Sequence, residues 1–264
     1  MFFEMFFAPR DSVKYPPCGM FTPAHFIALV ITLALVGIGV FLCRNIDASR
    51  VKKLTKNVAL IVTVLELTKI GYNFYFGYTW IDAWVPLAFC SLFIYACWLA
   101  GFGKGFLEKL GVGFMVGGCP TAGFLFLIFP TTSLQMHPIF HFLCLYSMLF
   151  HGLMVWLGLL HIFNSRKRPT WKTFGYYAGF FTCFASVALI LNTTLSCNLM
   201  FLRQPFNIPL KFVEHVYQFS APLYSILIFV AYLACFLVSL GLYSLVNFIK
   251  LKTPHNHNQI KENM

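Results

Sequence analysis

Glu66 and Lys69 stand three residues apart inside an otherwise apolar stretch, VLELTKIGYN. At helical spacing they fall on neighbouring faces of one turn. An ionisable side chain in hydrocarbon is costly enough to be a candidate functional site by default. Two chemistries are open: an internal ion pair (or a carboxyl held neutral) that locks helices together, or a Glu66 that accepts a proton or orients a histidine elsewhere. Periodicity does not choose between them. His151 lies deep in LYSMLFHGLMVW with apolar residues on every side, so it either bonds a neighbouring helix or does chemistry. Asn192 and Asn198 add amides that can bridge helices or donate to an oxyanion. His137 and His141 have the i,i+4 spacing of metal ligands, but no acidic or Cys partner lies near them in sequence, so no metal is assigned. The nine cysteines are scattered without a CxxC; Cys18 and Cys197 could pair, although no spacing rule selects them.

These residues must be positioned by membrane helices. With 59% hydrophobic and 10% charged residues, no soluble globular class fits. A bilayer core of about 30 Å needs roughly 20 apolar residues as a helix. Seven stretches qualify: 24–43, 57–76, 84–102, 111–129, 139–163, 174–195 and 218–248. Most Lys and Arg residues fall in every second gap: Arg44, Arg50, Lys52, Lys53 and Lys56 in the first; Lys104 and Lys109 in the third; Arg166, Lys167, Arg168 and Lys172 in the fifth; Lys250, Lys252 and Lys261 in the tail. Cytoplasmic loops retain positive charge. The expectation is an all-α polytopic membrane protein of seven spans, with the N-terminus outside and the C-terminus cytoplasmic.

Trp80 and Trp84 suit an outer aromatic belt. The fourth span is Gly-rich, inviting close helix contact, and Pro120 should kink it or end its first half. MFFEMFFAPR lacks the basic region and long apolar run of a signal peptide. Residues 1–264 read as a single membrane domain. The net charge of +11 is explained by inner loops facing anionic lipid headgroups, so membrane lipids, not nucleic acid, are the expected partners.

In this order, several segments carry a resemblance. They are FTPAH with His25, ELTKIGYN with Glu66, WVPLAFCSL with Cys90, a Gly-rich span ending in FP, YSMLFHGL with His151, RKRPTWK, LILNTTLSCNLMFLRQP with Asn192 and Asn198, and SAPLYSI. Together they resemble the YwaF-like family of bacterial integral membrane proteins. More distantly they look like the eukaryotic transmembrane acyltransferase that makes polyunsaturated ether phospholipids. The resemblance implies a bacterial plasma membrane location and an active pair, Cys90 and His151, with no cofactor. Members commonly read Pro-Leu-His-Leu-Cys in span three, whereas this chain has Ala88 two residues before Cys90.

The implied mechanism is phospholipid acyl transfer. His151 would take the Cys90 proton, the thiolate would attack a phospholipid ester, and the acyl-thioester would pass to a lysophospholipid or another hydroxyl. Glu66 would orient His151; Asn192 or Asn198 would stabilise the oxyanion; His25 falls among the supporting positions. Counting from Pro86 and Pro138, however, places His151 about nine residues deeper than Cys90, roughly 13 Å along a helix axis. Two other readings remain: a non-catalytic lipid-binding or structural membrane protein, and a small-solute or proton transporter using Glu66.

Overall fold

The structure, a computed structural model, describes residues 2–10, 12–164, 169–206 and 210–252, with side chains as far as Leu245. In chain order the helices are α1 (Phe2–Phe6), α2 (Pro23–Leu42), α3 (Ala48–Tyr75), α4 (Ile81–Trp84), α5 (Leu92–Phe102), α6 (Gly105–Gly117), α7 (Cys119–Ile128), α8 (Phe142–Phe163), α9 (Trp171–Thr194), α10 (Lys211–Phe219) and α11 (Ala221–Lys252), with a short 3₁₀ turn at Leu199–Phe201. Side-chain caps start four of the long helices. Thr22 accepts from the N–H of His25 at 3.3 Å, and Pro23 sits where its missing N–H costs nothing. Asp47 accepts from Arg50 at 2.8 Å and so begins α3 well before the expected residue 57. The ring of His141 accepts from Leu143 at 3.1 Å, and Thr170 accepts from Thr173 at 3.2 Å.

Six helices, counting α6 and α7 as one span, are long and apolar enough to cross a bilayer: Pro23–Leu42, Ala48–Tyr75, Gly105–Ile128, Phe142–Phe163, Trp171–Thr194 and Ala221–Leu245. The chain is therefore an all-α, multi-pass integral membrane protein, and the third expected span, 84–102, needs correction. α4 ends at the span's first residue, Trp84, and beyond that only the span's last 11 residues form a helix, α5. Pro86 supplies the reason: it lacks an N–H and biases Val85 to extended geometry (φ −78°, ψ 116°), which stops α4. The chain from Val85 to Ser91 is then held by side chains. Leu87 and Phe89 are buried, and Phe89 stacks on Tyr232 at 4.2 Å.

The central span is the glycine-rich one, and each glycine admits a different neighbour. A Cβ on Gly111 would lie 2.5 Å from the Ala100 backbone of α5. On Gly113 it would lie 2.9 Å from Tyr177 of α9, on Gly117 2.5 Å from Phe236 of α11, and on Gly123 2.8 Å from Val155 of α8. Small residues let helices approach this closely where lipid removes any hydrophobic drive to associate. α6 gives way to α7 at Gly118, with Pro120 in the first turn of α7.

The connections sort to two ends. At one, Asn164 donates to the Cys43 and Ile46 carbonyls, and Lys52 reaches Gly103 and pairs with Glu108 at 2.8 Å. Arg44, Arg50, Lys53, Lys56 and Lys104 belong to that end; Arg166, Lys167 and Arg168 lie outside the described residues. At the other, Cys18 and Gly19 donate to His137 and Leu134, and Asn198 donates to Asp82. There the chain between α9 and α10 folds back into the core, burying Leu199, Met200 and Leu202. Tyr224, Ser225 and Tyr232 of α11 bond the carbonyls of Phe201, Leu202 and Met200.

Candidate functional site

Glu66 is 3% exposed on α3, with its carboxylate divided between two partners. Lys69 Nζ lies 2.6 Å from Oε1 as an ion pair without hydrogen-bond alignment, and the Tyr146 hydroxyl of α8 donates to Oε2 at 2.5 Å. The Lys69 ammonium also stands 5.7 Å from the centroid of the Tyr146 ring. Of the two arrangements open in the sequence, the ion pair with Lys69 is present, and no hydrogen bond joins Glu66 to a histidine among the described residues. Glu66 is nine residues from the end of α3, so the cluster lies roughly 13 Å below the end that carries Trp80.

Cys90 belongs to the same neighbourhood. It is half-buried against the core just before α5, within electrostatic range of Tyr146, while Tyr95 of α5 is within range of Glu66. The break around Cys90 leaves donors without acceptors. The N–H groups of Ala88, Phe89 and Ser91 make no hydrogen bond among the described residues, and that of Cys90 faces its own thiol; chain bonds resume at Leu92 and Phe93. Irregular backbone at membrane depth is tolerated where protein or a polar cavity covers it, and Ala88 is exposed.

His151 does not meet Cys90. Its Nδ1–H donates to the Ser147 carbonyl at 2.7 Å, and its ring stacks on Phe126 of α7 at 3.6 Å. Its bare Nε2 has no partner among the described residues. The expected Cys–His dyad is thus corrected: the pair is not assembled, because α8 presents Tyr146 towards α3 and turns His151 towards α7. Acyl transfer through Cys90 and His151 loses its geometric basis.

The remaining positions make hydrogen bonds within the fold. His25 accepts from Phe21 N–H at Nδ1 (3.0 Å) and donates from Nε2 to Leu127 O (2.9 Å), tying the start of α2 to the last turn of α7. Asn192 accepts from Leu199 N–H (2.7 Å) and Cys197 Sγ (3.3 Å) and donates to Leu199 O (3.0 Å). Asn198 accepts from the N–H groups of Arg203 and Gln204 and donates to Gln204 O. Both amides therefore close the re-entrant chain after α9. Cys18 and Cys197 are free thiols. His137 and His141 stack at 4.0 Å instead of converging on a point, and no cluster of three metal-ligating side chains occurs among the described residues.

Sequence reasoning missed Tyr146. The available signal was a tyrosine well inside a membrane helix, whose hydroxyl must find a partner when buried.

Comparison with known proteins redirects the family assignment. The TMEM164 family model matches residues 20–243, most of the chain. No curated protein and no solved structure matches it. The YwaF-like assignment is overturned by that match, and the expectation of a bacterial plasma membrane loses the resemblance that supported it.

Proposed function

The chain belongs to the TMEM164 family, and from that premise we propose that it is a non-catalytic membrane protein that binds a phospholipid from within the bilayer. The carrying observation is the broken third segment. The N–H groups of Ala88, Phe89 and Ser91 make no hydrogen bond among the described residues, next to Cys90. Cys90 lies within electrostatic range of Tyr146, the residue that bonds Glu66 and carries the Lys69 ammonium over its ring. N–H groups and an ammonium are donors only. They call for a ligand rich in acceptor oxygens, and a phospholipid offers phosphate and ester oxygens joined to acyl chains that can remain in the hydrocarbon. Ala88 is exposed at the break, so the lipid enters sideways between helices. In this reading α5 is a seventh, half-length crossing, and the basic end that carries Lys52 and Lys104 faces the cytoplasm.

Detergent-purified protein stripped of lipid and rebound to a defined phospholipid, then weighed by native mass spectrometry, tests the proposal. The double variant Glu66→Gln/Lys69→Gln removes both charges together while keeping a side chain for Tyr146 to bond. It should retain at least ten-fold less phospholipid than the wild type. Equal retention in a folded double variant would show that the site does not hold lipid.

A further inference from the structure

Residues 2–10 and 12–20 lie at the end of the bundle that carries Trp80 and are fastened near both ends. Near Cys18 the fastening is backbone: Cys18 N–H to His137 O at 3.0 Å and Gly19 N–H to Leu134 O at 2.8 Å. Gly19 has φ +77°, a turn conformation suited to a hinge. Near the start the polar fastening to α3 and α8 runs through one carbonyl. Ala8, 2% exposed, presents its oxygen to the Tyr72 hydroxyl of α3 (2.8 Å) and to Nε2 of His141 (3.0 Å). Phe6 and Phe7 pack on Phe142, and Phe142 packs on Tyr146, the residue bonded to Glu66. Arg10 N–H bonds the Tyr78 hydroxyl at 2.7 Å and completes the attachment.

The tautomer of His141 follows from its bonds. Nδ1 accepts from Leu143 N–H and so carries no proton; Nε2 bears the hydrogen and donates to Ala8. We propose that the N-terminal segment is an acid-released strap over the Glu66–Tyr146 site, latched through Ala8 by His141. A second proton on His141 must enter at Nδ1, where it opposes the Leu143 N–H. The cap on α8 is then lost and the ring must turn, which withdraws Nε2 from Ala8. The new charge would also sit at a helix N-terminus, where the dipole disfavours cations.

The groups facing His141 reinforce this. His137 stacks on it from the preceding loop, and the Arg10 cation of the strap acts on His137. Tyr72 of α3 and Tyr78 beyond it bring hydroxyl groups to this end, and Cys144 on α8 bonds the His137 carbonyl. Glu4 is engaged by Lys14 and Tyr15 at the solvent face, and Asp11 lies outside the described residues. Burial favours a neutral ring at both positions, and at His137 the neighbouring His141 and Arg10 add to it, while at His141 the Ala8 carbonyl acts the other way and only partly offsets burial.

The test is hydrogen–deuterium exchange of full-length protein in lipid nanodiscs at pH 7.5 and 5.0, with exchange times scaled for intrinsic pH dependence. Peptides covering residues 2–10 should exchange at least ten-fold faster at the lower pH in the wild type. His141→Asn keeps a cap acceptor without a titratable ring and should abolish the step; His137→Gln should retain it. Tyr72→Phe removes one of the two donors to Ala8 and should move release to higher pH, so a poorly folded His141→Asn would not leave the question open. No wild-type step, a step that persists in His141→Asn, or an unmoved midpoint in Tyr72→Phe each overturns the strap. That the strap covers a lipid site rests on the reading above, and the two fail separately. Acid release together with undiminished phospholipid on Glu66→Gln/Lys69→Gln sinks the lipid site alone, and the converse sinks the strap alone.

Discussion

Tyr146 donates to Glu66 at 2.5 Å while Lys69 holds the other carboxylate oxygen at 2.6 Å, so one buried charge joins α8 to α3. Removing one member of a buried pair leaves the other uncompensated, at a cost of about 3 kcal/mol or more. Lys69→Met should therefore lower the thermal midpoint strongly in detergent, and Glu66→Gln/Lys69→Gln should lower it much less. A double-mutant cycle on the two positions measures the coupling; a strictly additive cycle would mean the pair is not joined.

Gly113 should tolerate no side chain. A Cβ there meets the Tyr177 backbone at 2.9 Å, whereas Gly37 has open space around it. Gly113→Val should cost about 1–3 kcal/mol or prevent folding. Gly37→Ala should be neutral or slightly stabilising, since alanine is the better helix former. Paired melting curves of the two variants decide it.

Asn192 should matter as a brace. Asn192→Ala strands the buried N–H and C=O of Leu199, each worth about 1–3 kcal/mol when unpaired. The adjoining Met200 and Phe201 sit at φ 56° and 52°, unfavourable for non-glycine residues, so the re-entrant chain should open first. Faster amide exchange at 197–203 than in α9 would report it.

Acid should destabilise the end that carries the strap. Burial, then His141, then Arg10 push His137 down to about 3 from an ordinary 6.5, and burial lowers His141 too. Both rings stay neutral in the fold while the unfolded chain takes up protons below about 6.5. Their contribution is thus complete above that value and is lost as pH falls towards 3. The thermal midpoint should decline across that window, and His137→Phe should flatten the decline.

The membrane helices were legible because hydropathy and length are local properties, and the basic gaps because they repeat. The glycines of the central span announced close contact without saying with which helix. The third span misled: hydropathy counts apolar residues and does not register that Pro86 forbids the helix to continue, or that Phe89 is held by stacking on Tyr232 far away in sequence. Glu66 and Lys69 were visible as ionisable residues among apolar ones. Their third partner was not, since Tyr146 is 80 residues from Glu66 and only packing brings α8 to α3. Cys90 and His151 were chosen by resemblance, and helix rotation sets them apart.

The central claim is that the break at Val85–Ser91 and the Glu66–Lys69–Tyr146 cluster form one lipid site. A phospholipid carrying a photoactivatable group near its ester linkage, crosslinked in nanodiscs and mapped by mass spectrometry, addresses it directly. The account predicts adducts concentrated at 85–95 and 142–150 and lost in Glu66→Gln/Lys69→Gln. Adducts spread evenly over the outward faces of α2 and α11, and unchanged in that variant, would contradict it.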